Sequence, residues 1–250
     1  MTGDAAAGTR SQPTAHPDWP REVRHTTIAL LGGTGAQGRG LAYRFACAGI
    51  ATVIGSRSAQ RARAAADVLN QMHGTSRKPV VGESNAVAAR RAGIVVAAVP
   101  WEGHAELLRD LAADLAGKVV IDCVNPIGFD NRGPYPLDVE EGSAAQQAAL
   151  LLPDSTVVAA FHHVSAVLLA DPSVRRVDCD VLVLGDDRDA TDEVRALADL
   201  VPGMRGVYAG RLRNAGQIEA LTANLVAVNR RYRTHAGVRL TGVPGYAPPS

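Results

Sequence analysis

The chain has 250 residues, 46% of them hydrophobic, with 26 basic against 25 acidic side chains and a net charge of +1. That is enough for one sizeable core, or for a large domain with a small annex. Near-neutral charge with scattered arginines excludes the electrostatic footprint of a nucleic-acid or anionic-membrane binder and leaves a small molecule as the expected partner.

Residues 1–25 are rich in small, polar and proline residues and read as a disordered extension without the apolar stretch of a signal peptide. No run approaches the roughly 18 apolar residues that span a bilayer, so the expected compartment is the cytoplasm. From Thr26 onward, short β-branched or apolar runs alternate with alanine-rich stretches of helical pattern. Strands are predicted at 26–31, 51–55, 79–82, 93–99 and 118–123, with helices near 36–48, 58–73, 84–92 and 102–115 between them. This alternation predicts an α/β fold, a Rossmann-like doubly wound parallel sheet with a smaller C-terminal α/β portion.

After Cys123 the turn-rich "VNPIGFDNRGPYPLDVEEG" is too long for a casual connection and is read as a ligand-covering loop. A helix at 143–152 follows, then strands in "TVVAAFHHV" and "DCDVLVLGDD", a helix near 189–201 and a strand at 206–210. The last helix is placed from Arg211 to about His235, with Ile218, Leu221, Leu225, Val228 and Tyr232 spaced to form one buried face. The expected division is a dinucleotide-binding domain at 26–160, a smaller portion at 161–240 and a flexible tail at 241–250. Cys47, Cys123 and Cys179 lie far apart in apolar contexts and read as core thiols, with no metal-ligand spacing.

"IALLGGTGAQGRG" sets Gly33, Gly35 and Gly38 in a G-x-G-x-x-G array between a predicted strand and a predicted helix. In that array the first glycine allows a tight turn, the second lets a pyrophosphate approach the backbone, and the third lets helix and strand pack closely. The helix N-terminus then offers free amides to the phosphates. NAD-specific proteins end the second strand with an acid that bonds the ribose hydroxyls. Here Ser56 and Arg57 occupy that place, followed one turn later by Arg61. A hydroxyl donor and guanidinium groups suit a 2′-phosphate that a carboxylate would repel, so NADP(H) is the expected cofactor. In the competing reading, Ser58 caps the helix and the arginines are only solvated.

No Tyr-x-x-x-Lys occurs, and the only lysines, Lys78 and Lys118, lie in the first half of the chain, so no lysine of the second half can act as a carbonyl-reducing acid. Pocket candidates instead follow the strands at their carboxyl ends, where open α/β sheets bind ligands. Pro100, Trp101 and His104 in "VPWEGH" are such candidates, as are His162 and His163 in "AAFHHVSAV". Strand alternation would point the two histidines to opposite sides.

The segments "IALLGGTGAQGRGLA", "GSRSAQRA", "VPWEGH", "AAFHHVSA" and "GRLRNAGQIEALT", in this order, resemble the NADPH-dependent coenzyme F420 reductases, chiefly their actinobacterial members. The resemblance runs from about Thr26 to Arg239. It implies direct hydride exchange between NADP(H) and the deazaflavin of coenzyme F420, with the two rings stacked in one cleft and no side chain acting as acid or base. Thr34, Gly35, Ala36 and Gln37 match the family's pyrophosphate loop, and Ser56, Arg57 and Arg61 its 2′-phosphate site. His162 and Val164 match positions against the deazaflavin, Ala166 a nicotinamide contact, and Leu212 a residue of the deazaflavin site. The archaeal members carry lysine where Arg61 stands and proline where Ser165 stands. A homodimer is expected from the resemblance and the last helix. The other readings of the residues are an NADP-dependent reductase of a small imine or ketone, with His162 or His163 as proton donor, and a non-catalytic NADP sensor.

Overall fold

A computed structural model describes residues 25–72 and 78–243. The expected N-terminal extension up to residue 24 and the tail from 244 lie outside the described residues. The elements run β1 (Thr27–Leu31), α1 (Ala36–Cys47), β2 (Ala51–Ser56), α2 (Ala59–Gln71), β3 (Val81–Ser84), α3 (Asn85–Arg91), β4 (Ile94–Ala97), α4 (His104–Leu115) and β5 (Val119–Asp122). They continue with β6 (Ile127–Asp130), β7 (Gly133–Pro136), α5 (Ala144–Leu151), β8 (Thr156–Ala159), α6 (Ala166–Ala170), β9 (Cys179–Gly185), α7 (Arg188–Asp199), β10 (Met204–Gly210) and α8 (Ala215–Tyr232). Single 3-10 turns, Trp101–Gly103 and Leu212–Asn214, lead into α4 and α8.

Eight strands form one sheet in the order β10-β9-β8-β5-β4-β1-β2-β3. The stretch β3-β2-β1-β4-β5-β8 is parallel throughout. Its order is that of the doubly wound dinucleotide fold, in which the strand order reverses between β1 and β4 and leaves a crevice at their carboxyl ends. The last two strands depart from the expected parallel sheet. β9 pairs antiparallel with β8, and β10 runs parallel to β9 through the α7 crossover. The C-terminal strands therefore extend the first sheet.

Alternation along the strands sends side chains to two cores, one on each face. Ile28 and Leu30 join Phe45, Phe161 and Val183 on one side. Ala29 and Leu31 join Leu108, Leu115 and Leu184 on the other. Burial on both faces explains why these strands read as continuous apolar runs.

Three elements differ from the sequence reading. The loop after β5 holds the small antiparallel hairpin β6–β7, whose prolines Pro134 and Pro136 are tolerated because a two-stranded ribbon has only edges. The expected strand through "TVVAAFHHV" stops at Ala159, so both histidines lie beyond it. The chain then forms α6, too short for periodicity to reveal. α6 is capped at its start by the Ser165 hydroxyl and at its end by the buried Arg44, whose guanidinium donates to the carbonyls of Leu168, Leu169, Asp171 and Val174. A cation on these carbonyls opposes the negative end of the helix.

The apolar face expected to be buried on α8 is only half-buried, and Tyr232 is 73% exposed. The buried positions of this helix are Ala215, Glu219 and Ala223, one turn apart along a neighbouring stripe. Cys123 and Cys179 are core thiols as expected, but Cys47 is exposed at the end of α1. Among the described residues no helix is long and apolar enough to cross a membrane, and no cluster of His, Cys, Asp or Glu could hold a metal.

Candidate functional site

The glycine turn sits at the carboxyl end of β1. Gly32, not Gly33, adopts the left-handed conformation that makes the turn tight, with φ +67°. Gly33 serves close packing instead: a Cβ there would lie 2.6 Å from the Leu30 carbonyl oxygen. Its N–H donates to the Leu30 and Gly55 carbonyls, which binds the turn to the end of β2. Gly38 fills the role read from the sequence, since a Cβ would stand 2.6 Å from the Gly33 Cα and push α1 off the strand. At Gly35 the same atom would meet only the Gly32 carbonyl oxygen, at 3.5 Å, so the outer side of the turn is open. Gly35 is the N-cap of α1, and no side chain caps the helix. The amides of the first turn have no carbonyl within the helix to reach and point outward as anion donors.

At the end of β2, Ser56 is buried and its Oγ accepts from the Ser58 N–H at 3.3 Å, which leaves the hydroxyl hydrogen to donate elsewhere. Arg57 and Arg61 are exposed beside it and make no ion pair among the described residues. Ser58 does cap α2, accepting from the Arg61 N–H. Capping and a cation pair are therefore both present, carried by different side chains.

The ring-facing end comprises the segments after β4, β5 and β8. Gln37, from the first turn of α1, donates its side-chain amide to the Phe161 carbonyl at 3.1 Å and so ties the glycine loop to the histidine turn. Phe161 has φ +64°, and this left-handed turn sends the chain away from the sheet immediately before His162. His162 and His163 are both buried and lie beyond the strand, so strand alternation does not set their directions. His163 Nε2 accepts from the Leu182 N–H, while its Nδ1 and both nitrogens of His162 have no hydrogen-bond partner. Burial lowers both pKa values to about 4; the Asp122 charge and the nearby carbonyls of Val124 and Cys123 oppose this for His162 only weakly.

Trp101 is half-buried and Pro100 exposed at the mouth of the crevice after β4. His104, read as a cofactor contact, faces the other way. It has no exposed surface, and its ring nitrogens meet Asp122 Oδ2 at 2.6 Å and Gln147 Oε1 at 3.1 Å. A fully enclosed ring with both nitrogens engaged cannot touch a ligand, so that expectation is corrected. Val164 packs in the core with Phe45 and Phe161, whereas Leu212 packs in the opposite core with Leu184 and Ala215, so the structure does not bring these two together. Ala166 opens α6 beside the Ser165 cap and is half-buried.

Sequence reasoning missed four supporting residues. Asn85 Oδ1 accepts from the Gly32 N–H at 3.4 Å and holds the turn from the side of α3. Asp122 accepts from the Val124 N–H, Asn125 donates to the His162 carbonyl at 2.9 Å, and the Thr222 hydroxyl reaches Asn125 Oδ1 and the His162 carbonyl oxygen, each at 3.3 Å. For Asp122 a signal existed: a carboxylate closing the apolar run "VVID" must find partners if it is buried.

Comparison with known proteins agrees with this geometry. Residues 27–126 match the family model described as NADP oxidoreductase coenzyme F420-dependent. The chain is 40% identical over 222 residues to the F420-dependent NADP reductase of Methanothermobacter thermautotrophicus, covering 87% of this chain and 95% of that protein. It is 34% identical over 223 residues to the F420-dependent NADP reductase of Methanocaldococcus jannaschii, covering 86% and 98%. A crystal structure of a candidate F420-dependent NADP reductase from Arthrobacter sp. FB24 superposes with a TM-score of 0.67 at 26% identity, covering 86% of this chain and 99% of that one. An imine reductase from Bacillus cereus, with a TM-score of 0.57 at 15% identity over 83% of this chain and 63% of its own, shares the fold alone.

Proposed function

Because the chain belongs to the F420-dependent NADP reductase family, we propose that it is an oxidoreductase transferring a hydride reversibly between NADP(H) and coenzyme F420, directly from ring to ring. The observation that carries this reading is the Gln37 bridge. It joins a glycine turn shaped for a dinucleotide to a turn bearing a buried imidazole with two unpartnered nitrogens.

The residues present fit both groups. The open outer side of Gly35 and the uncapped start of α1 suit a pyrophosphate, with Gly33, Thr34, Ala36, Gln37 and Gly38 forming the loop around it. The Ser56 hydroxyl with Arg57 and Arg61 suits a 2′-phosphate. Pro100 and Trp101 stand at the crevice mouth, and His162, Val164, Ala166 and Leu212 are assigned to the ring-binding portion. His162, held neutral, offers a donor and an acceptor to a polar ring.

When bound, NADPH supplies the hydride and the deazaflavin accepts it; the chemistry is that of the cofactors. The work of this chain is to bind and orient both, and no side chain is needed as an acid or base. Orientation of this kind supplies roughly 7–11 kcal/mol of a barrier.

The family match over 27–126 supports residues 26–160 as the dinucleotide-binding portion, with 161–240 completing the deazaflavin cleft. The half-buried apolar face of α8, with Tyr232, Phe129 and Tyr135 exposed near it, supports a homodimer. The absence of a membrane-crossing helix among the described residues fits a cytoplasmic enzyme.

The test is to mix the protein with NADPH and coenzyme F420 and follow the visible absorbance of the deazaflavin, with NADH as control. Bleaching with NADPH and little with NADH is expected. Absence of bleaching with either nucleotide sinks the reading.

A further inference from the structure

We propose that the buried pair His104–Asp122 is a positioning element of the ring-binding end, fixing at once the wall that carries Trp101 and the turn that carries His162. This inference rests on the functional reading above and adds to it two residues that touch neither cofactor.

The two side chains come from different elements, His104 from the first residue of α4 and Asp122 from the last residue of β5, and neither has any exposed surface. Their bond, Nε2 to Oδ2, is 2.6 Å long. The protonation of the ring follows from its partners. The Gln147 amide nitrogen donates to both carboxylate oxygens of Glu141, at 3.3 and 3.2 Å, so the Gln147 oxygen faces His104 Nδ1 and can only accept. The carboxylate on Nε2 accepts when ionised, so both ring nitrogens face acceptors and the pair favours the imidazolium form. Burial works against that charge, but Asp122 and the hydrogen bonds outweigh it, and the pKa of His104 is raised.

Two lines of contact leave this pair. On one side the Trp101 ring rests on the imidazolium, with centroids 5.5 Å apart and planes inclined by 31°, so the wall of the crevice is held through its face. On the other, Asp122 Oδ1 accepts from the Val124 N–H at 3.0 Å and the Asp122 carbonyl accepts from the Ala160 N–H at 3.0 Å. The turn after β5 is thereby locked to the end of β8, and Asn125 in that turn holds the His162 carbonyl. Loss of the pair removes the face on which Trp101 rests and loosens the side-chain anchor of the turn that holds His162 through Asn125, while the backbone bond from Ala160 stays.

The test uses His104→Gln, Asp122→Asn and the double variant, in which the asparagine amide can donate to the glutamine oxygen and keep a neutral bond while the asparagine oxygen still accepts from the Val124 N–H. All are made in full-length protein carrying Trp19→Phe, so that Trp101 is the only tryptophan emitter. Each single variant is expected to raise KM for coenzyme F420 about tenfold while kcat falls less than about threefold, and to shift Trp101 emission; the double variant is expected to recover KM to within about threefold of wild type. Single variants with wild-type KM and emission, in which only the unfolding midpoint falls, overturn the proposal. If the single variants do not fold, the double variant decides: near-wild-type KM supports the proposal, and a folded protein with KM raised about tenfold overturns it. If the wild type itself does not reduce coenzyme F420, the proposed function fails by itself. The positioning role is then read from NADPH quenching of Trp101, where loss in the single variants with recovery in the double supports it and no change overturns it.

Discussion

The two ends of the site are built by opposite means. The nucleotide end is backbone: a glycine turn, a helix start and a strand end, all between Leu30 and Arg61, with its arginines exposed to water. The ring-facing end is side chains: His104, Asp122, Asn125, His162 and Thr222 come from four separate segments, and its histidines and carboxylate are buried. The first binds charge with groups that remain solvated until the ligand arrives. The second holds its polar groups out of water permanently, so they must satisfy one another or wait for a partner.

The largest expected effect lies at the nucleotide end. Replacing Ser56 and Arg57 together by alanine removes two charge-assisted hydrogen bonds of about 1.5–3 kcal/mol each, so the preference for NADPH over NADH should fall by about two to four powers of ten. The exposure of Arg57 points to the lower part of that range and makes the preference salt-dependent. Steady-state KM values for both nucleotides, at low and high salt, measure it. An unchanged ratio would place specificity elsewhere and erase the contrast between the two ends.

The ring-facing end should show itself in acid. His162 and His163 have folded pKa values near 4 against an unfolded value of about 6.5. Each contributes stability that is present above pH 6.5 and is lost as pH falls through 4, on the order of 3 kcal/mol per ring. Glu219 runs the other way. It accepts from the amides of Ala144 and Ala145 at the start of α5, yet burial lifts its pKa to about 7. Its contribution is full below about 4.5 and is lost as pH rises through 7. Denaturant midpoints between pH 4 and 8 should therefore fall toward acid, more steeply in Glu219→Gln, where one of the opposing groups is gone and only the raised pKa of His104 still acts that way. A flat profile in that variant would mean that the histidines are not held neutral.

The same contrast decides what could be read from the sequence. Spacing alone reveals the glycine loop and the missing acid at the end of β2, because those parts are local and backbone geometry dictates residue type there. Even so, the left-handed residue proves to be Gly32, one before the array, since the turn begins at the first residue after the strand. At the ring-facing end each residue alone is ambiguous. His104 in "VPWEGH" looks like a crevice residue until Asp122, 18 positions later, turns it inward. His162 and His163 look like strand residues because the apolar run does not show where pairing with β5 stops. α6 leaves no pattern, since it owes its place to Arg44, more than a hundred residues earlier. Long-range side-chain pairs carry no period, and that is where the reading of the site fails.

The smallest effect separates two functions inside the nucleotide end itself. Ser58 caps α2, and Ser56 and Arg57 are assigned to the phosphate, yet all three stand within three positions, and Ser56 and Ser58 share a hydrogen bond. If capping were the only reason for this local sequence, Ser58→Ala would disturb binding as much as stability, because α2 carries Arg61 over the site. The geometry says otherwise. Ser56 Oγ accepts from the backbone N–H of residue 58, which alanine retains, so the hydroxyl keeps its orientation. What alanine removes is the side-chain acceptor for the Arg61 N–H, a cap worth about 1 kcal/mol. Ser58→Ala should therefore lower stability by about that amount and leave the ratio of NADPH to NADH KM within about twofold of wild type. A ratio that collapsed with the cap would show that the helix start, rather than the pair Ser56 and Arg57, sets nucleotide choice.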